Sequence, residues 1–255
     1  MTYCVAISVN DGIIFTSDSR TNAGVDQIST YSKMHRFGID GQRQLVIMSA
    51  GNLATTQGVI KRVRADIKNN EPVNLMNVAD LEEAADYLGE ISVAQQKKHD
   101  IEGSTVNHEA SFIVGGQIGD KTPAIIMIYP QGNYITSSDT TPYLQIGESK
   151  YGKPILDRIL TPETSLDTSA LCALVSMDST MRSNLTVGPP IETVIYEKGS
   201  LKLNRHYQFQ ADSAFLRELN KSWDHLLQEA FRNLPPIKWS ENWDQSPDES
   251  GEASS

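Results

Sequence analysis

The chain opens on a strand with two different faces. Tyr3, Val5, Ile7 and Val9 point one way, and the small Cys4, Ala6 and Ser8 point the other. Asn10-Asp11-Gly12 is a hairpin signal, and the return strand begins Ile13-Ile14-Phe15, apolar at three successive positions. A strand of that kind has no face to give to water. The hairpin therefore belongs in a sheet covered on both sides, and the rest of the chain must supply the cover.

A second hairpin, residues 34–38 and 44–49, turns at Ile39-Asp40-Gly41. The period then changes. Leu53, Thr56, Ile60, Val63 and Ile67 recur at three- and four-residue spacing, with Lys61, Arg62, Arg64 and Lys68 outside the stripe, which predicts an amphipathic helix. A second helix is expected with Val78, Leu81, Ala85, Leu88 and Ile91 inward. Residues 99–110 are polar and irregular. Strands are expected near 111–118, 123–129 and 133–138, helices near 151–159 and 166–182, strands near 191–197 and 201–209, and a last helix over about 212–232. Because the strands come in hairpins, the predicted fold is α+β, a four-layer α/β/β/α sandwich of two mainly antiparallel sheets. Residues 1–232 form the expected domain. Residues 233–255 are an acidic, Pro- and Ser-rich tail read as flexible, with Trp239 and Trp243 as candidates to dock on a neighbouring subunit.

Charge and cysteine content exclude several function classes. The formal charge is −10 over 255 residues; the tail accounts for −4, leaving an acidic body with no basic run. That argues against nucleic acid as the main partner. Cys4 and Cys172 are too few for a disulfide framework or a cysteine zinc site, and no apolar run approaches the ~20 residues of a membrane span. No signal-peptide pattern opens the chain. The expectation is a cytoplasmic protein with no cofactor and no membrane partner. His99 and His108 sit near Asp100, Glu102 and Glu109, but their spacing fits no metal pattern, and a solvated loop is the plainer reading.

Four positions carry the candidate chemistry. Thr2 comes directly after the initiator Met1, and a small second residue allows methionine removal. The new terminus would join a hydroxyl nucleophile to an amine whose ordinary pKa of about 7.7–8.0 suits a base near neutrality. Asp18 ends the second strand and lies near the start of the first. Lys33 just precedes the third strand, so an Asp–Lys pair beside Thr2 would stabilise a developing alkoxide. Gly51, in Ser49-Ala50-Gly51-Asn52, lies between a strand and a helix start, where a backbone N–H can reach a substrate oxyanion. Taken singly, each has a plainer reading: a surface ion pair worth ~0–1 kcal/mol for Asp18 and Lys33, and a turn for Gly51. Cys4 lies two residues inside the chain and reads as a small buried strand residue.

Taken together, Thr2 at a strand start, the strings FTSDSRT and MSAGN, and the lysine between them resemble the proteasomal β-type subunits of the N-terminal nucleophile hydrolases. The fuller strings TYCVA, SDSRTNAGVD, YSKMH and SAGNLATTQ resemble one bacterial branch, the Anbu (ancestral β-subunit) proteins, and IGESKYGKPILDR and SMDSTMRSNLTVGPPIE extend the resemblance to about residue 232. The resemblance implies an N-terminal nucleophile hydrolase fold and catalysis by Thr2, Asp18, Lys33 and the Gly51 amide. It further implies amine partners at Asp178 and at Ser183 or Ser179. The third amine partner falls at GES, where Glu148 takes the aligned place and Ser149 is its neighbour. Asn22, Ser49 and Leu53 match positions that flank the substrate channel in similar subunits. The implied partners are a peptide or protein substrate, a ring or open spiral of like subunits, and an unfoldase of unknown identity. Glu148 and an Asp18–Lys33 spacing one residue shorter than usual keep a weakly active assembly protein as an alternative. A small-molecule amide hydrolase is a second alternative.

Overall fold

The computed structural model describes residues 1–22, 28–99 and 106–237. The first sheet joins β1 (Tyr3–Val9), β2 (Gly12–Ser17), β10 (Tyr143–Gly147), β11 (Ile191–Glu197) and β12 (Arg205–Phe209), in the order β10-β1-β2-β11-β12. The second joins β5 (Met34–Ile39), β6 (Arg43–Gly51), β7 (Ala110–Ile118), β8 (Ala124–Ile128) and β9 (Tyr134–Thr136), in chain order. Every pairing in both sheets is antiparallel. A short hairpin, β3 (Arg20–Asn22) with β4 (Ile28–Thr30), stands apart.

The two-faced reading of β1 holds. Tyr3, Val5, Ile7 and Val9 pack against α4 (Leu166–Ser183) and α3 (Lys153–Ile159), in a core with Leu156, Ala173 and Met177. Cys4 and Ala6 face the other sheet, beside Phe15, Val46, Met48 and Ile113. Small residues there let the sheets approach, and the larger Phe15 fills the space between them. Beyond the second sheet, α1 (Leu53–Asn69) and α2 (Leu81–His99) seal Leu45, Ile47, Phe112 and Val114. Three apolar seams thus separate four layers, the expected α/β/β/α sandwich.

Three elements depart from the sequence reading. β10 and the β3–β4 hairpin lie where the residue pattern predicts no strand, and the last strand starts at Arg205 rather than near 201. β10 matters most, because its register Tyr3↔Gly147 brings Gly147 and Glu148 against the chain start. The last helix, α5 (Ala214–Arg232), packs Leu216 and Leu219 on the α4 side of the first sheet. Further along, Leu226, Leu227 and Phe231 stay exposed, Phe231 by 75%. Trp239, Trp243 and the rest of the tail from 238 onward lie outside the described residues, as do Asp100 and Glu102.

Candidate active site

Thr2 precedes β1 and is half-buried. Its carbonyl accepts the Glu148 N–H at 2.8 Å, and the next amide, Tyr3 N–H, donates to Asp18 Oδ1 at 3.0 Å. The peptide unit that follows the Thr2 side chain is therefore held at both its carbonyl and its amide. Gly147 makes the first contact possible: its φ is +84°, and a Cβ there would lie 1.9 Å from the Thr2 carbonyl oxygen.

Asp18, immediately after β2, is wholly buried. Oδ1 also accepts the Lys33 ammonium at 2.7 Å, and Oδ2 accepts the Gly188 N–H at 3.2 Å. Lys33 is 7% exposed, and its Nζ donates at 2.7 Å to the Arg20 carbonyl as well. Burial pushes the Asp18 carboxyl up; the Lys33 charge and the Tyr3 and Gly188 N–H groups pull it back. The α-amino group, carried here by Met1, sits below its ordinary value. Burial is the main cause and Lys33 the second, opposed by Asp18 and Glu148.

Gly51 closes β6 at φ +116°, where a Cβ would stand 2.4 Å from the Glu109 carbonyl oxygen. Only glycine fits both that dihedral and that approach. The next residue, Asn52, caps α1 by accepting the Thr55 N–H, so strand end and helix start form one fixed corner. Thr2, Lys33, Ser49, Gly51 and Leu53 all line one cavity of about 1020 Å³. The Ser49 N–H donates to the Lys33 carbonyl at 3.0 Å, tying β6 to the lysine. Asn22 ends β3, and its side chain lies outside the described residues.

The amine partners implied for the second half are placed differently. Asp178 accepts Asn220 Nδ2 at 3.0 Å on both oxygens, which turns it toward α5, and it does not line the cavity. Helix phase explains this. Ser176 faces the sheet, with its Oγ 2.6 Å from the Tyr3 hydroxyl, and two residues of helix rotate the side chain by about 200°. Ser183 ends α4 exposed, away from the cavity lining. Ser149 is half-buried and also outside the lining; its carbonyl accepts Gln145 Nε2 at 3.2 Å. The segment after α4 does reach the site, through the Gly188 backbone rather than a side chain.

Glu148 was singled out in the sequence, whereas Glu192, brought in by β11, was not. Glu148, just after β10, lines the cavity, as does Glu192, 8% exposed, which accepts the Ser19 hydroxyl at 3.3 Å and lies 3.6 Å from His206 Nε2. Glu192 pairs with Ser17 in the sheet, and that register was the missing signal. The Cys4 thiol is pushed far up by burial, which leaves it inert as a thiolate nucleophile. Among the described residues no group of three His, Cys, Asp or Glu could hold a metal, and no helix is long and apolar enough to cross a membrane.

Residues 2–195 match the Proteasome subunit family. No curated protein matches the chain in sequence. Among solved structures, Anbu (ancestral beta-subunit) from Yersinia bercovieri is 45% identical with a TM-score of 0.88, over 93% of this chain and 100% of that one. The Anbu complex of Pseudomonas aeruginosa, solved as a helical assembly, is 42% identical with a TM-score of 0.89, over 95% and 100%. Anbu from Hyphomicrobium sp. strain MC1 is 38% identical with a TM-score of 0.85, over 93% and 100%.

Proposed function

Because the chain belongs to the Anbu (ancestral β-subunit) proteins of the proteasome subunit family, we propose that it is an N-terminal threonine hydrolase acting on peptides. In this reading it works in the cytoplasm, within a homo-oligomeric ring or open spiral. The observation that carries the reading is the meeting of Thr2, Lys33 and Gly51 on one cavity, with buried Asp18 holding Lys33 at 2.7 Å.

Removal of Met1 gives Thr2 the α-amino group. In the unprocessed chain burial and Lys33 favour the neutral form of the Met1 amine, and in this reading the same surroundings favour the neutral, basic form of the Thr2 amine. The Thr2 hydroxyl adds to an amide carbonyl carbon while its proton passes to that amine, directly or through one water. The Lys33 ammonium, fixed between Asp18 and the Arg20 carbonyl, stabilises the alkoxide, and the Gly51 N–H holds the carbonyl oxygen as it becomes an oxyanion. As the C–N bond breaks, the leaving nitrogen takes the proton. Water then adds to the acyl-threonine ester, releasing the acid and restoring Thr2.

Self-association draws support from the helical assembly of the Pseudomonas aeruginosa relative and from the uncovered apolar residues of α5. The catalytic test is a threonine-directed epoxyketone on the full chain, after mass analysis has established that Met1 is gone. Covalent modification of the processed protein, lost in Thr2→Ala, supports the reading. No modification of the processed protein overturns it in favour of a non-catalytic assembly, the outcome that Glu148 beside the amine would favour. Release of peptides rather than ammonia or a small acid separates a peptidase from a small-molecule amidase.

A further inference from the structure

The cavity is charged asymmetrically. Its floor is one face of α1, where Leu53, Thr56, Gln57, Ile60, Lys61 and Arg64 succeed one another at helical spacing. The first four are neutral and the last two are cations. At 1.5 Å per residue, Lys61 and Arg64 lie about 12 and 16 Å along the helix from Leu53, beside the Gly51 corner. Their side chains lean back toward the helix start, which brings the charges nearer the reaction centre. From the facing strand β5, His35 turns toward α1, while Arg36, one residue on, lies on the opposite face with Met34. At the Thr2 end the wall carries Glu148 and Glu192 instead.

These cations are not spent on the fold. Among the described residues Lys61 and Arg64 make no ion pair, whereas Arg62, their neighbour on α1, is paired with Asp66 at 2.6 Å. Arg64 is close enough to His35 to help burial hold that imidazole down to about 4. Two cations facing one cavity from the same helix repel one another, in a protein whose formal charge is −10. An anion between them relieves that repulsion and accepts their donors.

We propose that this wall is a carboxylate subsite and that the chain takes acidic peptides, with the carboxylate held by Lys61 and Arg64. An extended peptide covers about 12 Å in roughly four residues, so the carboxylate lies within about four residues of the cleaved bond. The carboxylate belongs either to an Asp or Glu side chain or to the peptide's own C-terminus. This inference rests on the hydrolase reading for its cleaved bond, but binding tests it without catalysis.

The experiment uses full-length Thr2→Ala protein and fluorescein-labelled octapeptides read by anisotropy. One peptide carries Glu and an amidated C-terminus, its twin carries Gln in place of Glu, and a third carries Gln with a free C-terminal carboxylate. At least one carboxylate peptide is expected to bind about tenfold tighter than the neutral twin at low salt, the worth of one charge-assisted hydrogen bond. Added salt should narrow the gap. The exposed pair Lys61→Gln and Arg64→Gln should erase it, with the unfolding midpoint unchanged. Which of the two carboxylate peptides gains identifies the source. Equal binding of all three, no binding of either carboxylate peptide, or a preference that survives the double substitution overturns the subsite. Carboxylate preference without cleavage by the processed wild type would remove the hydrolase reading alone; cleavage without preference would remove the subsite alone.

Discussion

Replacing Lys33 by Met should destabilise the protein far more than removing an ordinary ion pair. Lys33 and Asp18 are 7% and 0% exposed, and the ammonium donates at 2.7 Å to both Asp18 and the Arg20 carbonyl. Without the ammonium, Asp18 keeps only the N–H groups of Tyr3 and Gly188. Breaking a buried pair costs about 3–5 kcal/mol because one charge is left uncompensated. The two surviving N–H donors put this case at the lower end, about 3 kcal/mol. For a domain of this size that is a fall of about 6–12 °C in Tm. The cost should shrink as pH falls below neutrality. Asp18 is already pushed up by burial, so losing Lys33 raises it further, and its protonation as pH falls removes the stranded charge. Asp18→Asn with Lys33→Met leaves no buried charge and should recover about 2 kcal/mol of the sum of the single effects. Urea unfolding of the four proteins at one fixed protomer concentration measures the cycle. Single effects below about 1 kcal/mol, or strictly additive ones, would refute the claim that this pair is a buried electrostatic unit.

Other expectations rest on separate contacts. His35 is held down to about 4 against 6.5 in an unfolded chain, so the folded protein resists protonation between those values. Its contribution should be full above pH 6.5 and lost as pH falls toward 4, about 3 kcal/mol in all. His35→Asn should flatten that part of the pH–stability curve in calorimetry. Gly51→Ala places a methyl 2.4 Å from the Glu109 carbonyl at φ +116°, and should cost about 1–3 kcal/mol in urea unfolding while abolishing epoxyketone labelling. Tyr3→Phe removes a buried hydroxyl lying 2.6 Å from both Ser176 Oγ and Gln145 Nε2, and should cost about 1–3 kcal/mol by the same measurement.

What the sequence disclosed depends on the range of each signal. The alternation in β1 and β2 is local, and it correctly predicted a double-sided sheet, with Cys4 and Ala6 against one layer and Val5 and Ile7 against the other. Thr2, Lys33 and Gly51 were legible because each sits at an element boundary that the pattern marks. β10 was not: it pairs with β1 across some 140 residues, and Tyr143–Gly147 is short and comes after a polar stretch. Asp178 rested on the family resemblance, and the 100° turn per residue from Ser176 places it on the opposite face of α4. Lys61 and Arg64 read as the wet side of α1, since only β5, folded opposite them, turns that side into a cavity wall. Pattern within a segment was readable; what another segment would cover was not.

The bonds that grip the peptide unit after Thr2 bear on rate as well as on position. Glu148 N–H on its carbonyl and Asp18 on its amide fix that plane, so the main chain leading out of the nucleophile has little to lose when substrate arrives. Folding has already removed that rotational freedom, so the attack step should carry little activation entropy of its own, and a weakened grip would appear as a steeper entropic barrier before any loss of binding.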